Sequence, residues 1–227
     1  MMKIKVIVAT RSKESEFFET TALGQSLKHS MPSYVDVRLF SENTLGLPLL
    51  YNAAIEECTE EPAVLVFVHD DLYLLDYFWS SRVLEGLAHF DLIGLAGNKR
   101  RLPKQPSWAF SSHELQWDEV QHLSGLLAHG RSFLPEQMGI YGPSRQAVKL
   151  LDGVFFAIRS QTLIDNCIRF DEQFNFHFYD VDFCRQLEYH GLRMGTWDIA
   201  AQHRSTGAFF SESWRHAYMK YLMKWGS

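Results

Sequence analysis

The stretch "VFVHDDLYLL", Val66 to Leu75, decides how this chain is read, because an apolar run ends abruptly in His69, Asp70 and Asp71. Adjacent carboxylates at the end of a buried strand are costly unless a positive group or water meets them. Three solutions are open: a metal ion, an arginine, or solvent around a turn in which Asp70 or Asp71 caps the next helix.

Working outward, "IKVIVAT" (Ile4 to Thr10), "YVDVRLF" (Tyr34 to Phe40) and "AVLVFV" (Ala63 to Val68) are short runs rich in β-branched residues, separated by helical texture around Phe17 to Lys28 and Leu49 to Cys58. This β-α-β-α-β alternation favours a parallel sheet with helices on both faces and a ligand crevice beyond the carboxyl ends of the strands. His69, Asp70 and Asp71 fall at such an end. Further on, the pattern predicts a helix from about Asp76 to His89, a strand in "DLIGLAG", a strand in "GVFFAIR", a helix in "DVDFCRQLEYHG" stopped by Gly191, and a strand in "LRMGTWDIA". The tail, "ESWRHAYMKYLMKWG", reads as an amphipathic helix. Residues 98–149 break the regular texture: they are rich in Pro, Gly, Ser, His and Trp and are expected to be irregular.

Composition narrows the function classes. With 227 residues, 46% hydrophobic and 14% aromatic, the chain has ample material for one packed core. A net charge of -5 supplies no global basic field, which argues against nucleic acid as a partner, whereas an acidic pocket suits a cation. Three cysteines, Cys58, Cys167 and Cys184, are too few and too scattered for a disulfide framework or a close-spaced zinc site, so a reducing compartment is expected. The opening "MMKIKVIVAT" is cut short by "RSKESE" and reads as a strand and not as a signal peptide; no window approaches the roughly 18 apolar residues of a spanning helix. The chain is therefore expected in the cytoplasm.

Two further clusters carry chemistry. In "FNFHFYDVDFCRQLEYHG", Asp180 and Asp182 sit among Phe174, Phe176, Phe178, Tyr179 and Phe183; aromatic surroundings desolvate a carboxylate and raise its pKa toward the range of a general base. Two positions apart at a helix start, the two point in different directions, and Asp182 fits the plainer role of first-turn charge. In "WDIAAQHRSTG", His203 follows a strand and precedes a Ser-Thr-Gly loop, where it is either a cation ligand or simply exposed. Gly153, beside Asp152, allows close approach of a ligand or merely a bend. Trp108 and Trp117 stack on a sugar ring or pack internally, and Asn98 to Arg101 contact phosphates or form a solvated loop.

Taken in order, "VIVATR", "YNAAIEE", "VLVFVHDD", "DGVFFAIRSQTL", "FDEQFNFHFYDVDFCRQLEYHGLRMG" and the histidine of "QHRSTG" resemble the GT-A glycosyltransferases, in particular the large inverting family that includes many bacterial capsule and polysaccharide enzymes. The resemblance covers most of the chain. It implies an α/β, Rossmann-like single domain with a mixed, mainly parallel sheet flanked by helices. Within it, residues 1–97 would be the nucleotide-sugar-binding half, 98–149 an acceptor-side segment, 150–210 the catalytic and acceptor half, and 211–227 the amphipathic helix.

Carried over residue by residue, the resemblance implies that Asp71 is the last Asp of the DxD motif and holds a divalent cation, Mn2+ or Mg2+, with His203 as a further ligand. His69 stands where the first Asp would contact the nucleotide, as in a subgroup with His-Asp-Asp at this place, and Asp70 lies between. Asp180 matches the catalytic base of a Glu-Asp pair whose Glu is replaced by Tyr179. Thr10, Arg11, Asn52, Asp152 and Gly153 fall on the donor side. The implied reaction is inverting transfer of a sugar from a nucleoside-diphosphate donor to a hydroxyl of a carbohydrate or lipid-linked acceptor. A catalytically silent nucleotide-sugar-binding module is the alternative, prompted by His69 and Tyr179. Nucleotidyl transfer is disfavoured, because "TRSKESEFF" lacks the glycine-rich loop it needs. The tail helix would contact a membrane surface peripherally, pack on the core, or pair with a second copy of the chain.

Overall fold

The computed structural model describes residues 2–205, 207 and 209–226. Thr206 of the Ser-Thr-Gly loop lies outside them. The first half follows the expected alternation. Strand β1 (Ile4–Ala9) leads into helices α1 (Glu14–Thr20) and α2 (Ala22–Ser30), then β2 (Val35–Phe40), α3 (Leu47–Glu56), β3 (Val64–Val68), β4 (Leu72–Leu74), α4 (Trp79–Gly86), β5 (Leu92–Gly94) and β6 (Ala96–Asn98). The helical segment expected as one piece over Phe17 to Lys28 is two helices. Thr21 adopts an extended backbone, its N–H closes α1 on the Phe17 carbonyl, and its hydroxyl accepts from the Gly24 N–H at 3.0 Å to open α2. Gly24 permits the sharp junction, since a Cβ there would lie 2.2 Å from the Phe17 carbonyl oxygen.

The second half contains β7 (Leu123–His129), β8 (Gln137–Gly142), β9 (Ala147–Val148), β10 (Leu150–Leu151), β11 (Phe155–Arg159), α5 (Ser160–Asp165), α6 (Tyr179–Tyr189), β12 (Met194–Thr196), β13 (Ala201–His203) and α7 (Glu212–Trp225). Segment 98–149, expected to be irregular, thus holds three strands. Glycines hide them from pattern reading: Gly125 at φ +101° interrupts β7 at a register shift, and Gly139 and Gly142 sit in β8.

Two sheets result. The larger runs β2-β1-β3-β11-β5-β12-β9. It is parallel across β2-β1-β3 and again at β5-β12, and antiparallel at the remaining joints, a mixed sheet with helices packed against it. All five residues of β3 are buried, as a strand covered on both faces requires. The smaller sheet runs β10-β6-β7-β13-β4, with β8 on the outer side of β7. Its strands β4, β6, β10 and β13 directly follow β3, β5, β9 and β12 of the larger sheet, so the chain steps from the larger sheet into the smaller at four places. The first of these steps is the turn His69-Asp70-Asp71.

Helix α7 packs on the core. Trp214 and Tyr221 are buried, and Lys224 Nζ and Trp225 Nε1 each lie 2.7 Å from Asp182 Oδ1 on α6. Among the described residues no helix is long and apolar enough to cross a membrane.

Candidate active site

The His69-Asp71 turn is fixed by its backbone before any side chain is considered. The His69 N–H donates to the Val154 carbonyl at 3.1 Å, the Asp70 carbonyl accepts from Leu23 N–H at 3.1 Å, and the Asp71 carbonyl accepts from Arg204 N–H at 3.0 Å. The last bond continues the pairing of β13 with β4, in which His203 stands opposite Leu72. That register sets His203 beside Asp71. His203 is itself the last residue of a strand, not the first of a loop.

Here Asp71 Oδ1 and His203 Nε2 lie 3.2 Å apart. Both atoms are buried, and the angle between them leaves each without a hydrogen-bond partner. His69 Nδ1 stands 4.0 Å from the same carboxylate oxygen. One ligand atom from each of His69, Asp71 and His203 can be chosen so that all lie within 4.8 Å of one another. Buried polar groups without partners are rare unless something else satisfies them. Two imidazoles and a carboxylate this close together could hold a divalent cation. Burial works to raise the Asp71 carboxyl, but the two imidazoles pull it below the ordinary carboxylate range. His203 is raised despite its burial, because Asp71 outweighs the lost hydration. His69 is lowered, because burial outweighs the pull of Asp71.

A cavity of about 580 Å³ opens beside this cluster; His69, Asp71, Asp152, Gly153, Asp180 and His203 line it. Asp180 is the second residue of α6, and its Oδ2 accepts from the Gly153 N–H at 3.3 Å. Burial, reinforced by the nearby Asp152 carboxylate, pushes its pKa up to about 7. The start of α6 is itself constrained: Phe178 adopts φ +68°, a left-handed conformation that costs a bulky residue about 1–3 kcal/mol. Phe178 is held there by stacking on Tyr218 and by packing against Trp214 and Tyr221 of α7. Asp182 is fully buried and turned away from the cavity toward Lys224, Trp225 and Gln186. The expected divergence of the two aspartates is what the helix geometry produces.

Other sequence candidates are distributed unevenly. Thr10, at the end of β1, donates its hydroxyl to Asp70 Oδ2 at 2.6 Å, so these two form one rim. Burial raises the Asp70 carboxyl above its usual range although Thr10 works against this. Arg11 is exposed next to them. Asn52 does not join the group. Its amide donates to the Phe170 carbonyl at 2.9 Å and to Glu172 Oε1 at 3.0 Å, and its Oδ1 accepts from the Phe170 N–H, so the side chain is spent on holding that loop. Asp152 receives the Trp108 Nε1–H at 2.8 Å and the Val154 N–H at 2.9 Å, which anchors the 98–118 loop over the cavity. The base of that loop is pinned by the Arg100–Asp118 ion pair. Against the effect of burial, Arg100 and Asn98 hold Asp118 at a pKa of about 2.

Sequence reasoning passed over His129 and Tyr141, and took Phe176 only as an aromatic neighbour of the two aspartates. His129 pairs in register with His203 across β7 and β13, and its Nε2 lies 2.9 Å from the Tyr141 hydroxyl. Phe176 stacks on the His69 ring at 5.8 Å between centroids. The signal for His129 was its place at the end of an apolar run, which the glycine in β7 obscured. Trp108, Phe110, Trp117, Tyr141 and Trp214 give the outer cavity an aromatic wall.

The model of a family described as glycosyltransferase-like matches residues 6–216. No curated protein matches the chain. The crystal structure of A197 from STIV is similar in shape, with a TM-score of 0.48 and 9% identity, over 92% of this chain and 100% of that one.

Proposed function

The chain belongs to the glycosyltransferase-like family, and on that premise we propose that it moves a sugar from a nucleoside-diphosphate donor to a hydroxyl acceptor, with inversion at the anomeric carbon. The observation that carries this reading is the shared cavity: a carboxyl with a pKa of about 7, Asp180, faces the same space as the unpartnered pair Asp71 and His203. Asp71, His203 and His69 would hold a divalent cation, Mn2+ in preference to Mg2+. When bound, such a cation would supply charge neutralisation for a departing diphosphate.

The remaining roles fall to the chain itself. Asp180 Oδ takes the proton of the acceptor hydroxyl as the acceptor oxygen attacks the anomeric carbon and the bond to the diphosphate breaks. No covalent enzyme intermediate is formed. The Gly153 amide orients the Asp180 carboxylate, and the Asp152 charge keeps it basic enough to work near neutral pH. Thr10, Arg11 and Asp70 form the donor rim at the ends of β1 and β3, where an open α/β sheet places its ligands. The aromatic wall from segment 98–149 forms the acceptor side, where Trp117, 54% exposed, offers a face on which a pyranose can stack. The setting we infer is cytoplasmic synthesis of a polysaccharide or glycoconjugate. A lipid-linked acceptor or a second copy of the chain would meet α7 at its exposed Met219 and Met223.

The test is a panel of nucleoside-diphosphate sugars with Mn2+, read by thermal shift and by slow donor hydrolysis, followed by NMR of the anomeric configuration of the product. Metal-dependent donor turnover with inversion supports the reading. Donor binding without turnover across a broad acceptor panel replaces it with the silent binding module.

A further inference from the structure

Tyr179 is a buried hydroxyl that the reaction above does not use. Its oxygen lies 2.7 Å from the Gly153 carbonyl oxygen and 2.9 Å from His69 Nε2. A carbonyl can only accept, so the single phenolic proton is committed to Gly153. The contact with His69 therefore requires the imidazole to donate, which places the ring proton on Nε2. In a neutral imidazole the other nitrogen then carries a bare lone pair. That nitrogen, Nδ1, is the one that faces Asp71, 4.0 Å from Oδ1 and beyond hydrogen-bond reach.

We propose that Tyr179 is a positioning residue that locks His69 in the Nε2–H tautomer and so presents Nδ1 as a ready cation ligand. The seat for the hydroxyl is built into the fold: a Cβ on residue 153 would fall 2.5 Å from the Tyr179 oxygen, and only glycine leaves that space. Phe176, stacked on the His69 ring, holds its plane. A ligating histidine whose second nitrogen is tied to an outer partner binds metal more tightly, and loss of such a partner costs about 10- to 100-fold in affinity. Here a phenol does what a carboxylate or a backbone carbonyl does elsewhere, and it passes the fixed orientation on from the Gly153 carbonyl. The inference rests on the cation site proposed above.

Two measurements on metal-free protein and one with Mn2+ separate the two ideas. Long-range 1H–15N NMR of the wild-type chain reads the His69 tautomer directly; the Nε2–H form is expected, and an Nδ1–H form overturns the proposal whatever the fate of the cation site. In Y179F the tautomer is expected to become a mixture, with the fold retained by circular dichroism. Titration with Mn2+ alone by calorimetry is expected to show a Kd about 10- to 100-fold weaker in Y179F than in wild type. Equal affinity and an unchanged tautomer in Y179F refute the positioning role. Absence of Mn2+ binding to wild type as well, with the Nε2–H tautomer intact, refutes the cation site instead.

Discussion

Asp71 and His203 are brought side by side by the strand register, through the Arg204 N–H bond to the Asp71 carbonyl at 3.0 Å, and their side chains attract across 3.2 Å without the geometry of a hydrogen bond. The strand register does the work, and the side chains are left with unused valence. This arrangement leads to the first prediction. Mn2+ should raise the melting temperature of the wild-type chain, since a ligand at 100 times its Kd stabilises the fold by about 2.7 kcal/mol. Asp71→Asn and His203→Ala should each remove most of that increment, measured by differential scanning calorimetry with and without the ion.

Asp180→Asn should lower transfer about 100- to 10,000-fold, the contribution of a positioned base, while donor affinity by calorimetry stays within a few fold of wild type. Near-wild-type turnover in this variant would remove the base assignment.

The pH profile follows from the same residue. Asp180 must be ionised to accept a proton, and its pKa is about 7, raised by burial and by Asp152. The kcat/KM of wild type should therefore climb with pH through about 7 and level off above it. Because the folded-state pKa exceeds that of the unfolded chain, ionising Asp180 opposes folding. Its share of the stability is intact below the unfolded pKa near 3.8 and is progressively lost as pH rises through about 7. In Asp152→Asn the rising limb should move to lower pH, since one of the two causes of the shift is gone.

Gly153→Ala places a methyl group 2.5 Å from the Tyr179 oxygen and 2.7 Å from Asp180 Cβ. Overpacking of this kind costs about 1–3 kcal/mol. Urea unfolding should show that loss, and activity should fall further than stability, because the start of α6 is pushed away from the turn.

Lys224→Met strips the fully buried Asp182 of its ammonium partner. Breaking a buried pair costs about 3–5 kcal/mol, and Lys224 is a quarter exposed, so a loss of about 2–3 kcal/mol in the urea midpoint analysis is expected. Lys224→Arg should recover much of it.

Much of this was legible in the sequence, and the boundary has physical causes. The alternation up to Val68 is local, so β1, β2, β3 and the acidic turn could be read from residue type alone. Asp180 could be singled out because its aromatic neighbours are adjacent in sequence. His69, by contrast, reads from sequence as a nucleotide contact; its place beside Asp71 and its bond to Tyr179 depend on a helix that begins far along the chain. Asn52 looked like a donor residue from its position in α3, yet its bonds are to the Phe170 loop, a tertiary neighbour no periodicity reveals. The second sheet stayed hidden because its longest strand, β7, carries a glycine at positive φ where pattern reading sees a break.

The order of the smaller sheet sets a schedule for biosynthesis. Strand β13, the last strand among the described residues, lies between β7 and β4, not at an edge. A ribosome-bound chain that has not yet extruded Ala201–His203 leaves a gap in the middle of that sheet and lacks one of the three side chains that could hold a cation. Capture of an ion by all three side chains would then require β13 to be seated between β7 and β4.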